Sequence, residues 1–342
     1  MDSSLTIEDI ARLAGVSTAT VSRVLAGKVG QRSKVKQKVL SVLQETNFQP
    51  NPAAQSLASK RTGLIGMMFP ISASGMLSST YHVRVIEAIS YACNLKRDYN
   101  LVMFLCETPA DEAAVFLKIN RKGMFDGVIA NVGAVNGSRL AELVSEMTIP
   151  IVTIGRRESL QGVSFVDVDN IQAAYHVVTH LAGSGRTRIA MITSPQGSTD
   201  GVDRVTGYRR ALAGSGIPVD EALIMEGDNT EKMGFLCAKQ LLTQSIDAIF
   251  AAGDRMAIGA IRAVQEKGLS VPEDIAVVGF DDLPEGASAN PPLTTVRQPL
   301  RTLGAKVVDL LIEQIEKPCD KPNKIFLDTE LIIRKSCGVN RA

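Results

Sequence analysis

Between residues 6 and 46, apolar positions recur at helical spacing in three short runs. Thr6 is placed to cap the first, with Asp9 at the reciprocal third position of a capping box. Ile7, Ile10, Ala11, Leu13 and Ala14 give that helix its apolar stripe. Gly15 interrupts it, Val16 follows, and Ser17 can cap a second helix in which Val21, Val24 and Leu25 recur. A third helix is expected over 33–46, with Ser33 as its cap and Val35, Val39, Val42 and Leu43 as its buried stripe. Two short helices that cross steeply need a tight corner, which Gly15 supplies without a Cβ clash, so Ala11, Val16 and Val21 should face the contact. The pattern is that of a compact helix-turn-helix unit. A three-helix unit that touches only protein shares the same pattern.

Pro50 and Pro52 then end the helical pattern, and Asn51 can cap a helix of about two turns in PAAQSLAS. A helix that short does not hold in water alone, so the segment is either a coupling element that orders against something or a plain linker. From residue 62 the pattern changes to buried strands alternating with helices. Strands are expected at 62–70, 101–105, 126–131 and 150–155, with helices at 81–97, 111–121 and 138–146. The pattern restarts with strands at 163–168, 188–193, 223–226, 248–251 and 275–280 and helices at 170–182, 204–214, 231–242 and 254–267. This predicts two consecutive α/β lobes, each a parallel sheet with helices on both faces. A late helix at 301–316 and a closing strand at 324–333 fit either lobe. Ligands of open α/β sheets bind beyond the carboxyl ends of the strands, which makes Phe69, Asn131, Arg156, Asp281 and the loop 194–204 site candidates. Asp281, at the tip of an apolar strand, can accept sugar or base donors, or else cap a helix or anchor its loop. Arg204 is a long donor near a loop-to-helix junction, or else a surface arginine.

Charge changes the picture of the first segment. The 342-residue chain carries a formal +1, yet the first 60 residues hold +4 and the remainder −3. A basic head suits a polyanion, although charge alone also fits a merely solubilising one. Thr18, Ala19 and Thr20 open the second helix and Ser22 and Arg23 follow one turn on. Arginine forks onto guanine, threonine and alanine methyls pack on thymine, and Ser17 with the helix N-terminus can meet a phosphate. Lys34, Lys36 and Lys38 lie near the start of the third helix. With no Trp and 4% aromatic residues, a surface of stacked bases is not the chemistry expected of this chain. The five cysteines, Cys93, Cys106, Cys237, Cys319 and Cys337, form no CxxC pair, which argues against a disulfide framework or structural zinc. The start, MDSSLTIEDIARLAG, has no signal-peptide character, and no apolar run reaches membrane-spanning length, so a cytoplasmic protein is expected. No enzyme constellation stands out. His176 and His180 share a helix face, but HVVTH lacks the glutamate of a zinc hydrolase, and no GxGxxG, GxxxxGK[ST] or GxSxG occurs. Neither cofactor nor metal is expected. The rival from another class is a two-lobe solute-binding protein that does not read DNA.

Five segments in order carry a resemblance: TIEDIARLAGVSTATVSRVL at 6–25, NPAAQSLA at 51–58, DRVTGYRRAL at 203–212, GDRMAIGAIRAVQEKGLSVPEDIAVVGFDD at 253–282 and PPLTTVRQPLRTLG at 291–304. Over nearly its whole length the chain resembles the lactose-repressor (LacI/GalR) family of bacterial transcriptional regulators. The resemblance implies a small all-α helix-turn-helix head and an α/β body of two Rossmann-like lobes of the periplasmic-binding-protein type I. It implies a DNA-binding domain over 1–49, a hinge helix and linker over 50–61, an N-terminal effector lobe of 62–161 with about 295–323, and a C-terminal lobe of 162–294 with about 324–342. It further implies a homodimeric repressor on near-palindromic operator DNA, controlled by a small polar, carbohydrate-like effector. Thr18, Ala19 and Arg23 match the family's major-groove positions, and Ser17, Thr20 and Ser22 its phosphate-side support. Leu57 matches the hinge leucine that wedges into the central base step, with Ala54 and Lys60 on the same segment. Arg204 and Asp281 match the effector anchor and Asn131 a polar pocket position. The chain departs where the family carries a stacking aromatic, here Asn229, and a pocket asparagine, here Gly253; the first body loop also lacks the NPFF-like run. It has no leucine-heptad tail, which implies a dimer.

Overall fold

The computed structural model describes residues 5–25, 29–30, 33–48, 61–72, 75, 79–95, 99–133, 139–195, 197–317 and 321–338. The expected hinge helix, with Ala54, Leu57 and Lys60, lies outside these residues. The chain divides into two units, 1–62 and 63–342.

In the first unit, helix α1 (Ile7–Ala14) opens with the full capping box: the Thr6 hydroxyl accepts from the Asp9 N–H, and the Asp9 carboxylate accepts from the Thr6 N–H. Gly15 ends it at φ 61°, a left-handed turn that favours glycine. Helix α2 (Thr18–Leu25) and helix α3 (Lys34–Glu45) close a core of Ile10, Ala11, Ala14, Val21, Val24 and Val39. Val16, Val42 and Leu43 pack on it half-buried. Two expected stripe residues do not join it: Leu13 is 53% and Val35 41% exposed. Three short helices enclose too little volume to take every apolar side chain on a helical stripe. Ser33 precedes α3 with extended backbone, but its side chain makes no capping bond.

The second unit holds two six-stranded sheets. Strands β1 (Leu64–Phe69), β2 (Asn100–Leu105), β3 (Gly127–Asn131), β4 (Ile151–Ile154) and β5 (Ser164–Val168) alternate with helices α4 (Thr80–Leu95), α5 (Pro109–Ile119) and α6 (Leu140–Ser145). Then come α7 (Asn170–Gly183), β6 (Ile189–Thr193), α8 (Thr199–Gly214), β7 (Ile224–Glu226), α9 (Glu231–Leu241), β8 (Ala248–Ala251), α10 (Asp254–Glu266) and β9 (Ala276–Asp281). The chain finishes with α11 (Pro284–Ala287), β10 (Thr294–Arg297), α12 (Leu300–Glu316), β11 (Lys324–Leu327) and β12 (Glu330–Ile332). The first sheet runs β11-β5-β4-β3-β1-β2 and is parallel throughout; the second runs β12-β10-β9-β8-β6-β7 and is parallel except for the β10–β12 pair.

These pairings move three of the expected lobe boundaries. The strand at 164–168 does not open the second lobe; it pairs with β4 in the first. The segment 294–297 belongs to the second sheet, beside β9. The expected single closing strand is two: Lys324–Leu327 pairs with β5 in the first sheet and Glu330–Ile332 with β10 in the second. The chain thus passes between lobes after β5, between β10 and α12, and between β11 and β12. Helix α12 packs on the first lobe, where Val307, Val308 and Leu311 join Ile65, Ile89 and Ile129 in one core. Periodicity reads a strand's length and burial but carries no information about its neighbour in the sheet.

Helices in the second lobe approach closely enough that only glycine fits. A Cβ on Gly259 of α10 would lie 2.1 Å from the Glu231 carbonyl oxygen, and one on Gly234 of α9 would lie 2.3 Å from that of Met256. Both obstacles are backbone, so relief requires the helices to part. Gly259→Ala is therefore expected to cost on the order of 3 kcal/mol in equilibrium denaturant unfolding. Gly183→Ala, where a Cβ meets nothing within 4 Å, is expected to change stability by less than about 1 kcal/mol.

Candidate functional site

The outward face of α2 offers one set of functional side chains. Val21 and Val24 point into the head's core, which turns Ser17, Thr18, Ala19, Ser22 and Arg23 outward, all exposed. Thr20 is half-buried; its hydroxyl lies 2.9 Å from that of Ser17, which also accepts the Thr20 N–H. Arg23 forms no ion pair among the described residues, so its guanidinium fork is available to an acceptor. Lys34 and Lys38 are exposed on α3 and Lys36 is half-buried.

The second set lines a cavity of about 920 Å³, open to solvent, between the carboxyl ends of the two sheets. Asn131, Arg156, Arg204, Asn229 and Asp281 all line it. Phe69 does not: it is 1% exposed, packed in the first lobe's core with Val85 and Leu303. As the last residue of β1 it turns onto the α4 and α12 face, and His82 stands against its ring and lines the cavity in its place.

Arg204 is neither a surface arginine nor at a helix start. The Ser198 hydroxyl caps α8 by accepting the Gly201 N–H, so the helix begins five residues earlier than expected and Arg204 lies in its second turn. Arg204 Nε donates to Asn170 Oδ1 (2.9 Å), Nη1 donates to the Ala252 carbonyl (2.6 Å), and the guanidinium lies 3.7 Å above the Phe280 ring. Asp281 ends β9 at φ 115° and caps no helix, since Leu283 precedes α11. Its Oδ1 accepts from Gln298 Nε2 at 2.6 Å, and burial pushes its carboxyl up to about 7. Behind it, fully buried Asp254 accepts from the Leu283 N–H and the Thr295 hydroxyl, tying the loop after β9 to β10. Arg156 Nη2 reaches both oxygens of Asp203 at 2.6 Å, an ion pair that bridges the lobes. Asn229, at φ 65°, accepts from the Ser194 hydroxyl (3.1 Å). Asn131 is buried, and its Oδ1 lies 3.4 Å from the Gly133 N–H.

Sequence reasoning missed Tyr81, His82, Asp167 and Gln298, which also line the cavity. Asp167 had one legible signal, a carboxylate flanked by the apolar Phe165, Val166 and Val168 of its strand. Burial pushes it up to about 7, while the Val168 N–H donates to it. Burial holds His82 down to about 4, so its imidazole is neutral at physiological pH. On three residues that line the cavity, a buried polar atom lacks a hydrogen-bond partner among the described residues: His82 Nδ1, Arg156 Nε and Asp200 Oδ1. His176 and His180 do not converge on a metal, since His176 meets Gln172 and His180 lies 3.4 Å from Cys337 Sγ. Among the described residues no helix is long and apolar enough to cross a membrane.

Two of the raised carboxyls, Asp167 and Asp281, predict a pH dependence. A folded-state value near 7 against an ordinary 3.8 means that the folded protein binds these protons more tightly than the unfolded chain. The resulting stability is complete below about pH 4 and is lost as pH rises through about 7. The melting temperature of the ligand-free protein is expected to fall between about pH 5 and 8. Combining Asp167→Asn with Asp281→Asn should flatten that fall in a thermal denaturation series.

The chain matches two families: "Bacterial regulatory proteins, lacI family" over residues 6–51 and "Periplasmic binding protein-like domain" over residues 178–337. It is 31% identical to the HTH-type transcriptional regulator CelR of Thermobifida fusca, across 97% of this chain and 98% of that protein. Among solved structures, a CelR–cellobiose complex superposes with a TM-score of 0.76 at 30% identity, covering 97% of this chain and 99% of that one. The lac repressor dimer bound to operator and the anti-inducer ONPF gives a TM-score of 0.78 at 27% identity, with the same coverage. Head, two-lobe body and near-complete coverage agree: the chain belongs to the lacI family of bacterial regulatory proteins, DNA-binding regulators of transcription rather than enzymes.

Proposed function

We propose that this regulator is a homodimeric repressor of near-palindromic operator DNA, and that a small polar, carbohydrate-like effector in the interlobe cavity sets its operator affinity. Thr18, Ala19 and Arg23 read base edges in the major groove, while Ser17, Thr20 and Ser22 hold the phosphates beside them. In the hinge, Leu57 wedges into the central base step and bends the duplex, with Ala54 and Lys60 alongside. Arg204 and Asp281 anchor the effector, and Asn131, Arg156 and Asn229 complete its polar surroundings. The observation that carries the effector reading is the polar lining of the cavity, where Asn131, Arg156, Arg204, Asn229 and Asp281 come together from both lobes. Such groups give a polar ligand donors and acceptors that fix its orientation. The ligands of two solved neighbours, cellobiose and ONPF, support the same reading.

Binding at the two sites is linked by one coupling free energy, so operator DNA must change effector affinity by the same factor that effector changes operator affinity. Selection of the full-length protein on randomised duplexes should enrich a near-palindrome. A thermal-shift screen of sugars, polyols and nucleosides should raise the melting temperature for at least one compound, since a ligand specific to the folded state stabilises it. No enrichment over random competitor would remove the operator reading, and no shift the effector reading.

A further inference from the structure

Gly253 lines the interlobe cavity at the head of α10, and nothing in the fold requires a glycine there. Its backbone is extended, at φ −171° and ψ 145°, a conformation that any residue adopts. A Cβ built on it would meet only Asp281 Oδ2 and Met256 Cε at 3.7 Å and Asn229 Oδ1 at 3.9 Å, all ordinary van der Waals contacts. Neighbouring glycines do have structural reasons. Gly155, on the cavity wall, has φ 75°, and a Cβ on Gly279, in the strand that leads to Asp281, would lie 2.3 Å from Asp254 Oδ1. Gly253 is also the N-cap of α10, where Ser, Asp or Asn would hold the helix better than Gly, and no side-chain capping bond is made there. Local stability therefore favours a side chain at this position, and its absence leaves an opening in the cavity wall.

Three atoms border that opening. Gln298 donates to Asp281 Oδ1, and Asp281 Oδ2 has no donor among the described residues. Asn229 Oδ1 accepts the Ser194 hydroxyl at 3.1 Å, and a carbonyl oxygen has a second lone pair to offer. The third atom is the Met256 methyl, at the end of a fully buried side chain. Two acceptor oxygens and one methyl thus lie within 3.9 Å of a single point. A secondary alcohol matches this set, since its carbon packs on the methyl and its hydroxyl donates to either oxygen. A methylene in the same place leaves both acceptors unmet.

We infer that Gly253 is a specificity-determining position: a secondary alcohol of the effector sits against its bare backbone, with the carbon on Met256 and the hydroxyl between Asp281 and Asn229. A side chain at 253 would take the place of that alcohol. The inference rests on the cavity being the effector site.

The test is calorimetry and thermal shift on the full-length protein, with glucose, galactose, mannose and cellobiose as probes, followed by the monodeoxy forms of whichever sugar binds. Gly253→Ala should melt as the unmodified protein does, since its methyl meets no clash. It should bind the active sugar about tenfold or more weakly, the loss expected when one hydrogen bond to a charged acceptor is removed. One monodeoxy form, the one without the seated hydroxyl, should bind the unmodified protein weakly by a similar factor. That form should lose no more than about twofold further in Gly253→Ala, because the methyl fills the space the missing hydroxyl leaves. The other monodeoxy forms should lose as much as the parent sugar. A Gly253→Ala protein that binds every active sugar within about twofold of the unmodified protein overturns the inference and leaves the effector reading standing. Equal losses for the parent and all of its monodeoxy forms overturn the placement of the hydroxyl. Early melting of both Gly253→Ala and Gly253→Ser gives the glycine a structural role and overturns the inference as well. Silence from every probe removes the effector reading, and this inference with it.

Discussion

Asp281→Asn should lower effector affinity by about 100-fold while leaving operator affinity and folding intact. Asparagine has the same shape, tolerates the positive φ at this position, and keeps an oxygen for the Gln298 donor. What disappears is the charge. At pH 8, above the raised value of about 7, two ligand donors bonded to an ionised rather than a neutral acceptor account for about 3 kcal/mol, at roughly 1.5 kcal/mol each, and about 2.7 kcal/mol is a hundredfold change in dissociation constant. Calorimetry with the compound that gives the largest thermal shift on the unmodified protein measures this directly. Melting should be unchanged or slightly higher at pH 8, because the substitution removes a carboxylate that burial disfavours. Unchanged affinity would take Asp281 out of the effector site and leave it as the residue that shapes the loop after β9.

Arg23→Ala should relax the operator preference at one base pair in each half-site. The guanidinium is exposed, free of ion pairs among the described residues, and one helical turn beyond the residues that open α2. A good bidentate contact discriminates against the wrong base by about 1–3 kcal/mol, and a symmetric dimer makes that contact twice. The specific operator complex should therefore weaken by about 100-fold or more while non-specific binding changes much less. Replacing Lys34 or Lys38 with Ala should behave differently, weakening all sequences alike and reducing the salt slope by about one for each phosphate no longer neutralised. Selection on randomised duplexes, followed by a salt titration, separates the two behaviours. An Arg23→Ala protein with an unaltered base preference would assign that arginine to the phosphates.

The head was legible because its signals are local. Thr6 and Asp9 stand three residues apart, Gly15 closes the turn within bonding reach of Ala11 and Arg12, and the outward face of α2 follows once Val21 and Val24 are buried. Leu13 and Val35 failed because a stripe states which residues can be buried, not whether a partner is there to bury them. In the body, the alternation of strand and helix was readable, but sheet membership was not. The pairing of β5 with β11 joins residues about 160 apart, and no periodicity encodes it.

The site divides along the same line. Arg204 and Asp281 could be placed because strand ends are legible and α/β sheets bind ligands there. His82 and Gln298 could not, because they reach the cavity only after α4 and the crossing between β10 and α12 are in place. Asp254 carries no mark of burial in its own sequence; its pocket exists because Gly279 and Gly286 leave space beside it.

By itself, the order of residues determined that a basic three-helix head precedes a doubly repeated α/β body, since caps, turns and hydrophobic periods act over a few residues. Tertiary structure alone decided which strands share a sheet, that Phe69 is core and His82 is not, and that carboxylates from three separate strands and helices face one space. Those outcomes depend on distances between atoms far apart along the chain, and such distances come into being only when the two lobes close around their cores.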